Sequence, residues 1–192
     1  QQMVRSDLAA SGVIFTLDTE SGFEDVILIT GAYGLGELLV KGEAIPDEFY
    51  VYKPALKKNK DAILRRKLGV KTKKLKFANR KTGLQKISLH KKMQQGFCIN
   101  DQEVLQLANF ALLIEKHYDK PMDIEWAKDG LDGKIYIVQA RPETVKSQQK
   151  SNQIQNYQLL EKGKLLTQGS SIGSKISSGK ACILQHVKDM AK

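Results

Sequence analysis

Two short segments near residue 130 constrain the fold more than any other feature. "MDIEWA" (122–127) alternates between apolar and polar side chains from Met122 to Trp126, and "KIYIVQA" (134–140) is rich in β-branched and aromatic residues. The turn-forming sequence "KDGLDG" joins them. These patterns predict two strands that pair antiparallel across a short turn. We therefore expect a sheet that contains this hairpin.

The period of two also predicts which side chains meet across the hairpin. Asp123 and Glu125 point to the same side of their strand. Four residues of the second strand are expected to share one face: Ile135, Ile137, Gln139 and Arg141. Antiparallel partners have a constant sum of residue numbers, so the register that pairs Glu125 with Gln139 also pairs Asp123 with Arg141.

This register collects two carboxylates, an amide oxygen and a guanidinium on one face of the hairpin. Hard oxygen ligands bind Mg²⁺, and arginine neutralises phosphate charge, so the set suits a magnesium nucleotide. The alternative is a half-exposed hairpin that carries an ordinary Asp–Arg surface pair. The spacing alone leaves both interpretations open.

Further strands and one helix are predicted around the hairpin. The strand candidates are "SGVIFTLD" (11–18), "DVILIT" (25–30), "DEFYVYK" (47–53), "AILRR" (62–66), "KLKFA" (74–78) and "KISLH" (86–90). Between 101 and 117 the apolar residues recur at helical spacing, with Asn100 as N-cap, Glu103 as its capping partner and Pro121 beyond the end. We predict an α/β domain of the α+β type, with a mainly antiparallel sheet and the helix packed on it.

Composition indicates a soluble globular protein with more than one region. The 192 residues are 41% hydrophobic and 27% charged, with no apolar run of the roughly 20 residues that a membrane span needs. Cys98 and Cys182 lie far apart, which indicates neither a disulfide framework nor a zinc site and favours a reduced, cytoplasmic setting. The chain opens with Gln1 as though in mid-domain, so we expect a piece of a longer polypeptide. We assign 1–145 to the first domain, 146–160 to a polar linker and 161–192 to the start of a second, β-rich domain.

A basic tract gives the chain most of its formal net charge of +10. Residues 53–92 contain many lysines and arginines, but Asp61 is the single acidic residue and Phe77 the single Phe or Trp. Because base stacking needs aromatic side chains and no nucleic-acid motif is present, a nucleic-acid partner is not favoured. We expect a solvated basic face, or one balanced by acidic groups elsewhere.

The glycine-rich sequence "YGLGE" (33–37) is a weaker signal. It matches neither the dinucleotide-binding nor the P-loop pattern, so taken alone it indicates a tight turn. Glu37 stands at the head of an apolar run, which is the same anomaly that Glu125 shows.

Taken together, these segments resemble the phosphoenolpyruvate synthase (pyruvate, water dikinase) family. The stretches that carry the resemblance are "SGVIFTLDTESGFEDVILITGAYGLGELLVKGEAIPDEFYVYKP", "AILRRKLG", "MDIEWAKDG" and "IYIVQARPET". They cover residues 1 to about 145 in order. The tail "GSSIGSKISSGKACIL" resembles the opening of the family's swivelling domain, which carries the phosphorylated histidine. The resemblance implies that 1–145 is the second half of an ATP-grasp nucleotide-binding domain.

The family's chemistry implies roles for the candidate residues. The reaction converts ATP, pyruvate and water to AMP, phosphoenolpyruvate and phosphate, through a histidine that ATP phosphorylates. By resemblance, Glu125 and Gln139 contact Mg²⁺ and the nucleotide phosphates, and Arg141 stabilises the transferred group. Asp123 is a supporting carboxylate, and Glu37 is a further acidic residue beside ATP. Phosphoryl transfer needs alignment and charge neutralisation, which such residues supply.

Several parts of that reaction have no counterpart in this sequence. His90, His117 and His186 fit no phosphohistidine motif, and we expect them to be structural or surface residues. Pyruvate would bind through other domains of the same polypeptide, so the fragment alone should be inactive; the resemblance leaves room for a homo-oligomer. Two alternatives stay open: another dikinase-type phosphotransferase, such as pyruvate phosphate dikinase or an antibiotic phosphotransferase, and a basic nucleic-acid-binding module.

Overall fold

The computed structural model describes residues 3–78, 83–144, 158–161, 163–169 and 176–180. The chain divides into two compact units, residues 1–154 and 155–192. In the second unit the described residues form neither helix nor strand. The remainder of the strand material predicted for 161–192 lies outside the described residues, so a β-rich second domain stays a prediction.

The described residues of the first unit form a six-stranded sheet, a separate two-stranded hairpin and four α-helices. The strands are β1 (Ala10–Phe15), β2 (Val26–Tyr33), β3 (Asp47–Tyr52), β4 (Ile63–Lys67), β5 (Lys73–Phe77), β6 (Leu84–Ser88), β7 (Met122–Lys128) and β8 (Ile135–Pro142). The helices are α1 (Glu37–Val40), α2 (Lys53–Lys57), α3 (Lys91–Gln94) and α4 (Asp101–Tyr118), and a 3₁₀ turn spans Ser6–Leu8. Every predicted strand of the first domain is confirmed, with small shifts at the ends.

The large sheet has the order β4-β3-β2-β1-β7-β8, and all of its neighbouring strands are antiparallel. This confirms the predicted mainly antiparallel sheet. Strand β1 lies between β2 and β7 in the sheet. It therefore pairs both with the next strand of the chain and with a strand that begins more than 100 residues later. β5 and β6 pair with each other in the second sheet.

The helix α4 begins and ends where the sequence predicts. The Asn100 side chain accepts a hydrogen bond from the backbone N–H of Glu103 (3.0 Å), and the Glu103 carboxylate accepts one from the N–H of Asn100 (2.9 Å). This capping box satisfies two amide donors that a helix start leaves unpaired. After Tyr118 the chain turns through Asp119, at φ 51°, and Pro121 follows.

Helix α4 packs on one face of the large sheet. Its buried residues Val104, Leu107, Ala108 and Ala111 join one core cluster with Ile14, Ile29, Ile124 and Trp126 of the strands. We call this side of the sheet the helix-covered face. A side chain at Gly31 would lie 2.8 Å from the Trp126 ring, so the indole occupies the space that this glycine leaves. The opposite side, the open face, carries the polar residues of β7 and β8.

Candidate functional site

The predicted register of the β7–β8 hairpin is confirmed. Glu125 is the partner of Gln139, and Asp123 is the partner of Arg141. Because β7 alternates, these residues lie on the open face while Ile124 and Trp126 pack in the core. The sheet therefore holds all four polar groups on one side, two strands wide.

One detail of the predicted alternation is wrong. The register shifts between Glu125 and Trp126, since Trp126 pairs with Ile137 rather than Val138. Val138 is therefore an extra residue, a β-bulge in β8. Ile135 and Ile137 pack with the helix-covered core, so they do not share a face with Gln139 and Arg141 as the uninterrupted period implied. Because of the bulge, β8 packs Ile135 and Ile137 in the core near its start and presents Gln139 and Arg141 on the open face near its end.

Asp123 and Arg141 form the best-defined contact of the site. The Nε and Nη2 atoms of Arg141 both donate to Oδ2 of Asp123, at 2.9 and 2.7 Å. The Asp123 side chain is 12% exposed, whereas that of Arg141 is 66% exposed. The hydrogen bond and charge of Asp123, with a smaller contribution from Glu125, raise the pKa of Arg141, so the guanidinium stays protonated. Both bonds use the Nε and Nη2 edge of the guanidinium.

Glu125 and Gln139 offer oxygen ligands for a hard cation. Glu125 is exposed and Gln139 half-buried, and they are directly opposed across two strands. Among the residues that the structure describes, no group of three or more His, Cys, Asp or Glu side chains could hold a metal ion. The pair nevertheless fits Mg²⁺, because Mg²⁺ in nucleotide sites is usually held by one or two protein oxygens, with phosphate and water completing its six ligands.

Glu37 lies beside the hairpin, although 85 or more residues separate it from β7 in sequence. Glu37 and Glu125 line one cleft of about 420 Å³, together with Ser11, Gly12 and Gly36. The Glu37 carboxylate accepts a bond from Lys41 Nζ at 2.6 Å, one helical turn away, and its side chain is 41% exposed. The structure thus brings Glu37 next to Glu125, while Asp123, Gln139 and Arg141 continue the same face of β7 and β8.

Further residues that line the cleft were not predicted from the sequence. Met3, Val4, Val40 and Val138 line it with apolar atoms, and Met3 and Val40 are 75% and 81% exposed. Gly12 also lines the cleft, and a Cβ added there would clash with the Thr30 carbonyl oxygen at 1.9 Å. A glycine inside a strand indicates a close backbone approach, and Gly12 was the one signal available in advance. The apolar rim beside carboxylates suits a flat heteroaromatic ring with a charged substituent.

The basic tract is partly neutralised within this chain. Lys53 Nζ donates to both oxygens of Glu115, at 2.7 and 2.8 Å, and Lys71 forms a fully buried pair with Asp47. On the surface, Arg66 makes a two-bond contact with Asp101 (2.9 and 2.8 Å). Two lysines are therefore buried structural cations rather than parts of a solvated face. This reduces the positive surface on which a nucleic-acid interpretation would depend.

The remaining singled-out residues lie away from the cleft. His90 and His117 are exposed surface residues, as predicted, and His186 lies outside the described residues. Cys98 is buried with a free thiol, and burial raises its pKa well above the usual value. In the described ranges no helix is both long and apolar enough to cross a membrane.

Comparison with known proteins identifies the family of this chain. Residues 1–161 match the family model described as "Pyruvate phosphate dikinase, AMP/ATP-binding domain". The chain belongs to this family. It is 51% identical to a phosphoenolpyruvate synthase of Pseudomonas aeruginosa over 100% of the chain and 25% of that protein. It is 48% identical to one of Aquifex aeolicus (98% and 23%) and 46% identical to one of Escherichia coli (99% and 24%).

These similarities confirm the family resemblance that the motifs indicated. The chain spans about a quarter of the length of the curated relatives it matches. The match therefore concerns one part of a synthase, and not the activity of the whole protein. An ATP- or AMP-binding domain is what the family model describes, and it includes all five candidate site residues.

Proposed function

We propose that this chain is the nucleotide-binding part of a phosphoenolpyruvate synthase and that its open face holds Mg-ATP. The observation that carries the proposal is the adjacency of two cross-strand pairs, Asp123–Arg141 and Glu125–Gln139, of which Glu125 also lines a cleft with Glu37. In this proposal residues 1–145 are the second half of an ATP-grasp domain. Residues 146–160 form a linker, and 161–192 begin the phosphohistidine domain.

Each polar group of the proposed site has a separate task. The oxygens of Glu125 and Gln139 would hold Mg²⁺, which supplies charge neutralisation at the phosphates when bound. Glu37 lies at the cleft wall as a further carboxylate beside the nucleotide, and the apolar rim at Met3 and Val40 would cover the base.

Arg141 is proposed to act on the transferring group. Asp123 fixes the guanidinium through its Nε and Nη2 atoms, which leaves the Nη1 side for a phosphoryl oxygen. A planar fork held in this way neutralises charge that spreads over the equatorial oxygens during transfer. The acceptor would be a histidine of the swivelling domain, and pyruvate would react elsewhere in the same polypeptide. The relatives' names favour the synthase over another dikinase.

The test compares two carboxylates on the same face of the sheet. Glu125→Gln removes the charge at the proposed ligand, and Glu48→Gln removes a charge on β3 that is paired with Lys67 at 3.1 Å. In the longer protein, Glu125→Gln should raise the ATP concentration for half-saturation about tenfold or more at fixed Mg²⁺, since a charge-assisted contact is worth roughly 1.5–3 kcal/mol. Glu48→Gln should change it by no more than about twofold.

Equal behaviour of the two variants would refute the assignment of Glu125. The isolated chain is expected to bind ATP weakly, because an ATP-grasp cleft has two halves. Tight stoichiometric binding by calorimetry would show that the second half suffices. A location in the cytoplasm follows from the same proposal.

A further inference from the structure

The cleft depends on a contact outside the large sheet. Glu37 begins α1, a helix of only four residues whose N-terminus has no side-chain cap. A single helical turn is not stable by itself in water, because nucleation costs more than its few hydrogen bonds return. Some other part of the chain must therefore fix the position of Glu37.

That part is the β5–β6 hairpin. The backbone N–H of Leu35 donates to the carbonyl oxygen of Leu75 in β5, at 3.1 Å. Gly34 has φ +88°, and a Cβ there would lie 2.6 Å from the same Leu75 oxygen and 3.0 Å from Lys74 Cβ. The hairpin thus rests directly on the glycine turn that leads into α1.

Side chains extend the contact under α1. Leu75 is 5% exposed and packs with Leu38, the residue after Glu37, and with Ala44. On the other side of the turn, the Ser11 hydroxyl donates to the Gly34 carbonyl at 2.7 Å. The turn is therefore held between a strand of the large sheet and the hairpin.

The hairpin is itself tied to the rest of the domain at its far side. Lys74 Nζ donates to the backbone oxygen of Asp7 at 3.1 Å, and the Arg5 guanidinium lies over the Phe77 ring, 5.8 Å from its centre. Arg5 also holds the Asp7 carboxylate through two bonds, at 2.8 and 3.0 Å. These bonds make the hairpin a fixed support rather than a free flap.

We propose that Leu75 and Gly34 are positioning residues for nucleotide binding: the hairpin sets Glu37 in the cleft, and nucleotide affinity depends on that contact. The inference rests on the proposed function, in which Glu37 contacts ATP. It assigns a role in that function to the basic tract, whose positive charge gave no indication of it. The hairpin acts here through the Leu75 backbone oxygen and side chain, not through its lysines.

Two matched pairs of variants test the proposal in the longer protein. Gly34→Ala is compared with Gly83→Ala, because Gly83 has a similar φ of +71° but nothing within 4 Å of an added Cβ. Leu75→Ala is compared with Leu84→Ala, in the same hairpin but 46% exposed. Gly34→Ala and Leu75→Ala should raise the half-saturating ATP concentration about tenfold, as expected for a displaced charge-assisted contact. The control variants should stay within about twofold.

Three further measurements separate positioning from general damage. Leu75→Met keeps the buried volume and should restore most of the affinity lost in Leu75→Ala. In a Glu37→Gln background, Gly34→Ala should add no more than about a twofold change, because both act on one contact. Amide hydrogen exchange of residues 35–40 should accelerate in Gly34→Ala and not in Gly83→Ala, even in the isolated chain.

The outcomes distinguish a failure of the proposed role of Glu37 from a failure of the positioning inference. If Glu37→Gln leaves ATP affinity unchanged, the proposed role of Glu37 fails, and the positioning inference fails with it. If Glu37→Gln weakens ATP binding but Gly34→Ala acts no more strongly than Gly83→Ala, or adds fully to Glu37→Gln, the positioning inference alone is overturned. If Gly34→Ala does not fold, the Leu75 variants decide.

Discussion

The two faces of the six-stranded sheet are formed by the same strands, but one face forms the core and the other carries the candidate site. On the helix-covered face, Ile14, Ile29 and Ile124 are 0% exposed and pack under α4. On the open face, the neighbours of Ile124 are Asp123 and Glu125, and their partners across β8 are Arg141 and Gln139. Adjacent residues of one strand therefore contribute to a core and to a candidate site.

The difference shows how stability and chemistry are separated in a single layer. The buried face gains free energy from removing apolar area from water, at about 25 cal/mol per Å². The open face gains little from its exposed charges, because water screens them. Substitutions on the helix-covered face should therefore reduce stability, and substitutions of the polar residues of β7 and β8 on the open face should reduce function while the domain stays folded.

The largest effect is expected at the open face, for Arg141→Ala. Loss of an arginine that acts on the transferring group typically reduces the rate on the order of 10³-fold or more. In the longer protein, single-turnover phosphoryl transfer from ATP should slow by that order, with nucleotide affinity and thermal unfolding much less affected.

Arg66→Ala is the matched control for this prediction. Arg66 makes the same two-bond contact with an aspartate, Asp101, but lies away from the cleft. Its loss should leave the transfer rate unchanged. A near-normal rate in Arg141→Ala would reduce Arg141 to a structural partner of Asp123.

Much of this comparison could be predicted from the sequence. The period of two in "MDIEWA" assigns alternate residues to opposite faces, and a single antiparallel register pairs both Glu125 with Gln139 and Asp123 with Arg141. The α4 capping box and the Pro121 stop are local signals, so the helix bounds were also predictable. These features depend on residues within a few positions of one another.

The features that could not be predicted from the sequence depend on contacts between distant parts of the chain. Nothing in "IYIVQA" marks Val138 as the bulged residue, because the bulge depends on how Trp126 packs against Gly31 and Ile137 against α4. The burial of Lys71 depends on Asp47, 24 positions earlier. Pairings of this kind are decided by tertiary packing rather than by local pattern.

The second prediction concerns the helix-covered face, through Ile124→Ala. Ile124 is fully buried, and truncation of a buried isoleucine to alanine costs about 2–5 kcal/mol through lost packing and a cavity. Chemical denaturation of the isolated chain should show a loss in that range. Leu64→Ala, on β4 at 59% exposure, should cost no more than about 0.5 kcal/mol. Similar losses in both variants would mean that α4 does not cover Ile124 as described.

The bulge allows a sharper experiment, with two single-residue deletions. Deleting Val138 or deleting Gln139 removes the extra residue, and either deletion keeps Ile137 on the helix-covered face and Arg141 opposite Asp123. Only the second deletion removes the amide opposite Glu125.

We expect similar unfolding free energies for the two deletions and different nucleotide binding. The Gln139 deletion should raise the half-saturating concentration of Mg-ATP about tenfold relative to the Val138 deletion, as expected for one lost ligand contact. Equal affinities would remove Gln139 from the proposed metal site while leaving the bulge assignment intact.

The smallest expected effect is the pH dependence that the Cys98 thiol gives to stability. Cys98 is buried, and burial with the nearby charge of Asp47 raises its pKa well above the ordinary 9.0. Because the pKa of the thiol is higher in the folded state, its contribution to the free energy of unfolding is fully present below about pH 9, where the thiol is protonated in both states. As pH rises further, the unfolded chain releases the proton and the folded chain keeps it, so stability falls by at most about 1.4 kcal/mol per pH unit.

The difference in unfolding free energy between the wild type and Cys98→Ala should therefore be constant from pH 7 to 8 and shift by roughly 1 kcal/mol between pH 8 and 10. Groups that do not interact with Cys98, including Lys53, whose pKa burial lowers, are common to both proteins and cancel in that difference. A difference that stays constant up to pH 10 would mean that the thiol is accessible to water and that the packing under Gly31 is looser than the structure shows.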